Sequence, residues 1–234
     1  MSAPPRMASR TAPRIALVHA TPVAMEPVRE AFLAGWPEAE TVNLLDDGLT
    51  IDRARTPEPT PALTERIIAL AAYARGAGAA GVLFTCSAFG AAIDAAALRL
   101  DVPVLKPNEA MFRQALARGP NIAMIATFGP SVAGMAAEFY ALAARTAPDA
   151  RLSTVLVEPA LAALRVGDAE THDRLVAGAA AELNGFDAIM LAHFSTSRAA
   201  PAVRAVAGAP VLTSPDAAVA AMRALVEGAA RRIA

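Results

Sequence analysis

The chain has one cysteine, Cys86, and three histidines, His19, His172 and His193. Thiol and imidazole can move protons near neutral pH without a metal or organic cofactor. Cys86 interrupts an apolar run, Gly81-Val-Leu-Phe-Thr-Cys-Ser-Ala-Phe-Gly90, and the helix-forming segment Ala91 to Leu100 follows it. Such a run reads as a buried parallel strand, which places Cys86 in the strand-to-helix turn of a βα unit. That turn lies at the carboxyl edge of the sheet, where open α/β folds bind ligands. Backbone N–H groups at a helix start favour an anion, so a thiol pKa below its usual ~8.5 is expected there.

The elements around Cys86 recur. His193 stands 107 positions later, in Ala188-Ile-Met-Leu-Ala-His-Phe-Ser-Thr-Ser197, again an apolar run breaking into a polar turn. The same offset superimposes Ile15-Ala-Leu-Val18 on Ile122-Ala-Met-Ile125, Val102-Pro-Val-Leu105 on Ala209-Pro-Val-Leu212, and Glu109 on Asp216. Two copies at so long a period make two related α/β halves, not a solenoid. The expected fold is α/β, in two pseudo-symmetric lobes with parallel sheets. The first lobe is expected over 14–117 plus 208–234, the second over 118–207, and 1–13 as a flexible tail. The amphipathic segment Pro215 to Glu227 is the helix expected to return to the first lobe.

His19 ends the first strand, at the same edge as Cys86. Thr85 and Ser87 flank the cysteine, Thr127 and Ser131 stand in the matching turn of the second half, and Ser195 and Thr196 follow His193. Hydroxyl and backbone donors at several helix starts facing one crevice suit a carboxylate, although Ser and Thr also serve as ordinary helix caps. These seven residues are the candidate substrate-binding set, with Cys86 and His193 as the candidate catalytic pair. His172, in Glu170-Thr-His-Asp-Arg174, reads as a surface residue at a helix start. Lys106 is the sole lysine, and pairing with Glu109 or with a substrate are both open to it. The Pro-rich stretch Thr56 to Pro61 reads as a loop over the ligand edge, a lid or a spacer.

Thr85-Cys86-Ser87, with Leu191-Ala-His-Phe-Ser-Thr196 in the place of a second motif, resembles the aspartate/glutamate racemase superfamily, which also holds hydantoin racemases, maleate isomerases and arylmalonate decarboxylases. The resemblance runs from about residue 14 to 230. It implies two flavodoxin-like lobes that each present a cysteine after a strand, an active site in the cleft between them, and no cofactor. It further implies a racemase or isomerase acting on a small carboxylate, of amino-acid or hydantoin type, by proton transfer at the carbon next to the carboxyl group. This chain has His193 where the second cysteine is expected. A Cys86/His193 pair, thiolate against imidazolium, could still serve two faces of one carbon. If His193 does not, two one-sided reactions come forward: decarboxylation with Cys86 as proton donor, or nucleophilic attack by Cys86. A binding protein for an acidic metabolite is the reading without catalysis.

Composition bounds these readings. Apolar residues make up 55% of the 234 and charged residues 18%, enough for a full core. A net charge of -1 leaves no electrostatic footprint for nucleic acid or an anionic membrane. A lone cysteine forms no internal disulfide, gives no zinc pattern, and fits a reducing, cytoplasmic setting. No signal peptide is expected in residues 1–13. Small enzymes of this kind are commonly homo-oligomers, but no interface signature is legible.

Overall fold

A computed structural model describes residues 12–56 and 60–233; residues 1–11 of the expected tail and 57–59 of the Pro-rich loop lie outside the described residues. In the first half the elements are β1 (Arg14–His19), α1 (Met25–Gly35), β2 (Glu40–Leu45), α2 (Gly48–Arg53), α3 (Pro61–Gly76), β3 (Gly81–Phe84), α4 (Gly90–Ala97), β4 (Val104–Leu105) and α5 (Glu109–Leu116). The second half has β5 (Asn121–Ala126), α6 (Val132–Thr146), β6 (Arg151–Leu156), α7 (Glu158–Arg165), α8 (Ala169–Ala181), β7 (Ala188–Leu191), α9 (Ala200–Val206), β8 (Val211–Thr213) and α10 (Ser214–Ile233). Two parallel four-stranded sheets result, in the orders β2-β1-β3-β4 and β6-β5-β7-β8. The chain is α/β with two related lobes.

Burial follows from that order. The central strands β1, β3, β5 and β7 are covered by helices on both faces, so Ile15 to Val18, Val82 to Phe84, Ile122 to Ala126 and Ala188 to Leu191 are all buried. The edge strands β2 and β6 keep exposed positions, as Glu40, Asn43 and Leu45 show in β2. Of the described helices, none is long and apolar enough to cross a membrane.

The lobes exchange their last helices. α5 packs on α6 and β7 of the second lobe, where Met111 and Phe112 join Ile122, Met124 and Phe139 in one apolar cluster. α10 packs on α1 and β3 of the first lobe, where Val219 and Met222 join Ile15, Val28 and Phe32. Gly81 makes room for it, since a Cβ there would lie 2.5 Å from the Met222 sulfur. β8, within 208–234, pairs with β7 and so completes the second sheet.

Candidate functional site

Cys86 stands two residues past the end of β3, after Thr85, in extended conformation (φ -109°, ψ 125°), and precedes the short 3-10 turn Ser87–Phe89, which runs into α4. It is half-buried and unbridged. The expected lowering of its thiol pKa is corrected by the structure: burial pushes the pKa up, and the Ala88 backbone N–H and the Arg53 charge only partly offset this. The desolvation of a thiolate wedged beside the apolar cluster of β1 and β3 outweighs one N–H at the end of a three-residue turn. The thiol is therefore the resting form at neutral pH.

Arg53, at the end of α2, carried no signal in the sequence. Its Nε donates to the Ala88 carbonyl at 3.3 Å and its Nη1 to the Thr56 carbonyl at 2.6 Å. It thus ties the start of the Pro-rich loop to the Cys86 turn and is the cation acting on the thiol. Arg53→Gln is expected to slow alkylation of Cys86 by iodoacetamide about threefold at fixed pH near 8, read by intact mass.

His193 follows β7 as Cys86 follows β3, one residue past the matching Leu191-Ala192. Among the described residues it is the only non-glycine with positive φ, 71°, a conformation that costs a side chain about 1–2 kcal/mol. The reversal swings the ring toward the β5 turn. Nε2 lies 2.6 Å from Ser131 Oγ, and the Phe128 ring meets the imidazole edge-to-face at 6.4 Å. Nδ1 is shut from solvent and has no hydrogen-bond partner. Burial lowers the pKa to about 4, against a small opposing effect of the Ala192 carbonyl. The imidazole is neutral at pH 7, so the expected thiolate–imidazolium pair is replaced, at rest, by thiol and imidazole.

The remaining candidates divide in two. Five are engaged within the protein. His19 Nδ1 meets Thr85 Oγ1 at 2.9 Å and its Nε2 meets Asn43 Oδ1 at 2.9 Å, which laces together the carboxyl ends of β1, β2 and β3. His19 is wholly buried, and that burial lowers its pKa, with Asn43 opposing. Thr127 and Thr196 share a bond of 3.2 Å and are both buried, lacing β5 to the turn after β7. By contrast, Ser87 and Ser195 are half-buried, begin the two matching 3-10 turns, and engage no partner among the described residues through their hydroxyls. Ser131 Oγ donates to the Phe128 carbonyl at 2.9 Å and also meets His193 Nε2. A recess of about 180 Å³ opens beside it, lined by Thr127, Phe128, Pro130, Glu158, Leu161 and Arg165.

Each turn meets the other lobe, the Cys86 turn through Gly90 at its end, which faces Glu138 of α6. Phe194, next to His193, is buried in the first-lobe cluster with Ile15, Phe32 and Met222. His172 is not at the surface as expected: it is fully buried, with Nδ1 2.7 Å from Asp173, whose carboxylate also takes Arg198 Nε at 3.0 Å. α8 is thereby tied to the turn that follows His193. Among the described residues no group of His, Cys, Asp or Glu is placed to hold a metal.

The fold has counterparts. A glutamate racemase isoform from Bacillus anthracis superimposes with a TM-score of 0.69 at 11% identity, over 94% of this chain and 84% of that one. An allantoin racemase from Klebsiella pneumoniae gives 0.67 at 18% identity, over 93% and 89%. An aspartate racemase homologue from Pyrococcus horikoshii OT3 gives 0.67 at 17%, over 92% and 99%. No curated protein matches the sequence significantly. At such identities the superpositions speak for the two-lobed fold alone, but the family model for Asp/Glu/Hydantoin racemases matches residues 19–184, from the end of β1 to just before β7, and the chain belongs to that family.

Proposed function

We propose that the protein is a cofactor-independent proton-transfer enzyme that racemises or isomerises a small carboxylate at the carbon next to its carboxyl group. The observation that carries this is the equivalence of Cys86 and His193: each stands two residues past the end of the third strand of its sheet and leads into a polar turn that meets the other lobe. Inversion at carbon needs a base on one face and an acid on the other. The neutral imidazole is the base and the protonated thiol the acid. Because Nδ1 is enclosed, protons reach the ring on the Nε2 side, where Ser131 stands. For one enantiomer Ser131, its hydroxyl turned from the Phe128 carbonyl to Nε2, takes the α-proton and gives its own to His193, while Cys86 delivers its proton to the opposite face. That leaves imidazolium and thiolate, the forms that act on the other enantiomer. The free hydroxyls of Ser87 and Ser195, with the N–H groups of their turns, suit the substrate carboxylate, and Arg53 is the nearby cation. The similar glutamate and allantoin racemases support the reaction class, and an amino acid or hydantoin-type compound is the substrate proposed.

A second reading draws on the raised thiol pKa. Decarboxylation of a substituted malonate leaves an enediolate, and a thiol held protonated needs only to give it a proton. The same observation weighs against attack by a Cys86 thiolate. Proton NMR in deuterium oxide with amino acids, hydantoins, maleate and substituted malonates separates these. Deuterium entering the carbon next to the carboxyl group without loss of carbon is the expected result. Loss of carbon dioxide would replace the racemase by a carboxy-lyase. Ligand-dependent thermal stabilisation with no exchange in any compound would leave a binding protein.

A further inference from the structure

Gly90 begins α4, four residues after Cys86, in ordinary helical conformation (φ -47°, ψ -55°). Nothing in its backbone calls for glycine. The space it leaves is filled by a neighbour: a methyl group there would overlap the carboxylate oxygen of Glu138 and lie 3.3 Å from the Glu138 Cδ, so the carboxyl group would have to swing away. Glu138 comes from α6, whose core contacts belong to the second lobe, whereas α4 packs in the first. The cross-lobe contact has company. Lys106, its side chain only 17% exposed, pairs with Asp94 of α4 at 3.0 Å and with Glu109 of α5 at 3.5 Å, and Glu109 also holds Arg113 at 2.6 Å. The Lys106 Cδ lies 4.0 Å from the point where a Gly90 Cβ would stand. Glu138 itself makes no hydrogen bond or ion pair among the described residues. It is held there by shape.

We infer that Glu138 is a positioning residue that docks the second lobe onto the first beside the Cys86 turn, its carboxyl group filling the space that Gly90 leaves open. The bearing of this contact on catalysis rests on the proton-transfer reading of Cys86; the contact itself does not. Burial raises the Glu138 pKa; Lys106 opposes this, and Asp94 and Glu109 reinforce it. An acid whose pKa is raised in the folded state is favoured there in its neutral form. Docking is therefore strongest while Glu138 is protonated and weakens as pH rises through its raised value.

Cys86 being the sole thiol, its rate of alkylation by iodoacetamide reports how closely the turn is covered, whatever the substrate. Gly90→Ala, which places a methyl group where the carboxyl group sits, is expected to raise that rate about tenfold, and Glu138→Ala to match it, with the double variant no faster than Glu138→Ala alone. Glu138→Gln keeps the shape without the charge. It should label more slowly than wild type at pH 8, where the wild-type carboxyl group is ionised. A wild-type rate in Gly90→Ala, or effects of the two alanine substitutions that multiply, would overturn the docking role. Thermal unfolding accompanies each variant. Should Gly90→Ala unfold early, Glu138→Ala decides alone, and labelling at the wild-type rate in it overturns the inference. An inactive but normally labelled wild type would instead sink the proton-transfer reading and leave the contact standing.

Discussion

Cys86→Ser should lower kcat/KM for α-proton exchange by about 10³-fold, within the range lost when a positioned proton donor or acceptor is removed. Serine keeps the size of the side chain and can still accept from the Ala88 N–H, but its hydroxyl neither releases nor holds a proton at neutral pH. Cys86 is half-buried at a turn and bonds to nothing else that holds the fold. The melting temperature should therefore move by no more than about 2–4 °C, the equivalent of roughly 1 kcal/mol in a chain of this size. Exchange measured by NMR in deuterium oxide, beside a calorimetric scan, checks both halves. Wild-type exchange in Cys86→Ala would remove the cysteine from the mechanism.

The second large effect is expected at His193. His193→Asn should lower kcat/KM by about 10²-fold or more through loss of the base, with no loss of stability. Asparagine tolerates positive φ better than histidine does, and the substitution removes a buried ring nitrogen that has no partner. The pH profile gives an independent reading. With His193 required neutral and Cys86 protonated, kcat/KM should be level through neutrality. It should fall on the acid side only near pH 4, where His193 takes up its proton, and on the alkaline side above the raised thiol pKa. The sign follows from burial, which moves an imidazole down and a thiol up. An acid limb near the usual histidine value would show that the ring is solvated and does not act as described. His193→Asn should lose the acid limb altogether.

The strands were legible because their period and offset are properties of local sequence: β1, β3 and β4 each begin 107 residues before β5, β7 and β8. The positions of Cys86 and His193 came with them. Their protonation did not, because the decisive quantity is how much of each group is withdrawn from water. That depends on residues far along the chain, such as Phe128 beside His193 and the β1–β3 cluster beside Cys86. The same gap explains His172. Three acidic or hydroxylic neighbours made its helix start look wet, whereas α8 turns that face onto the turn after β7. Arg53 and Glu138 carried no periodic signal at all; one matters through a loop and the other through a neighbouring lobe. His19 was placed correctly at the sheet edge, but Asn43, the partner that occupies its far nitrogen, sits on another strand and left no trace in spacing.

The exchange of α5 and α10 has a consequence for how this chain holds together. Each half lends its final helix to the other, the connectivity of a swapped dimer written into a single polypeptide. Cut between α5 and β5, neither fragment could close its own core: the first would present Met111 and Phe112 to water, the second Val219 and Met222. The two lobes should consequently melt together in one transition, and the separated fragments should be insoluble alone yet complement each other when mixed, because each carries the other's missing wall.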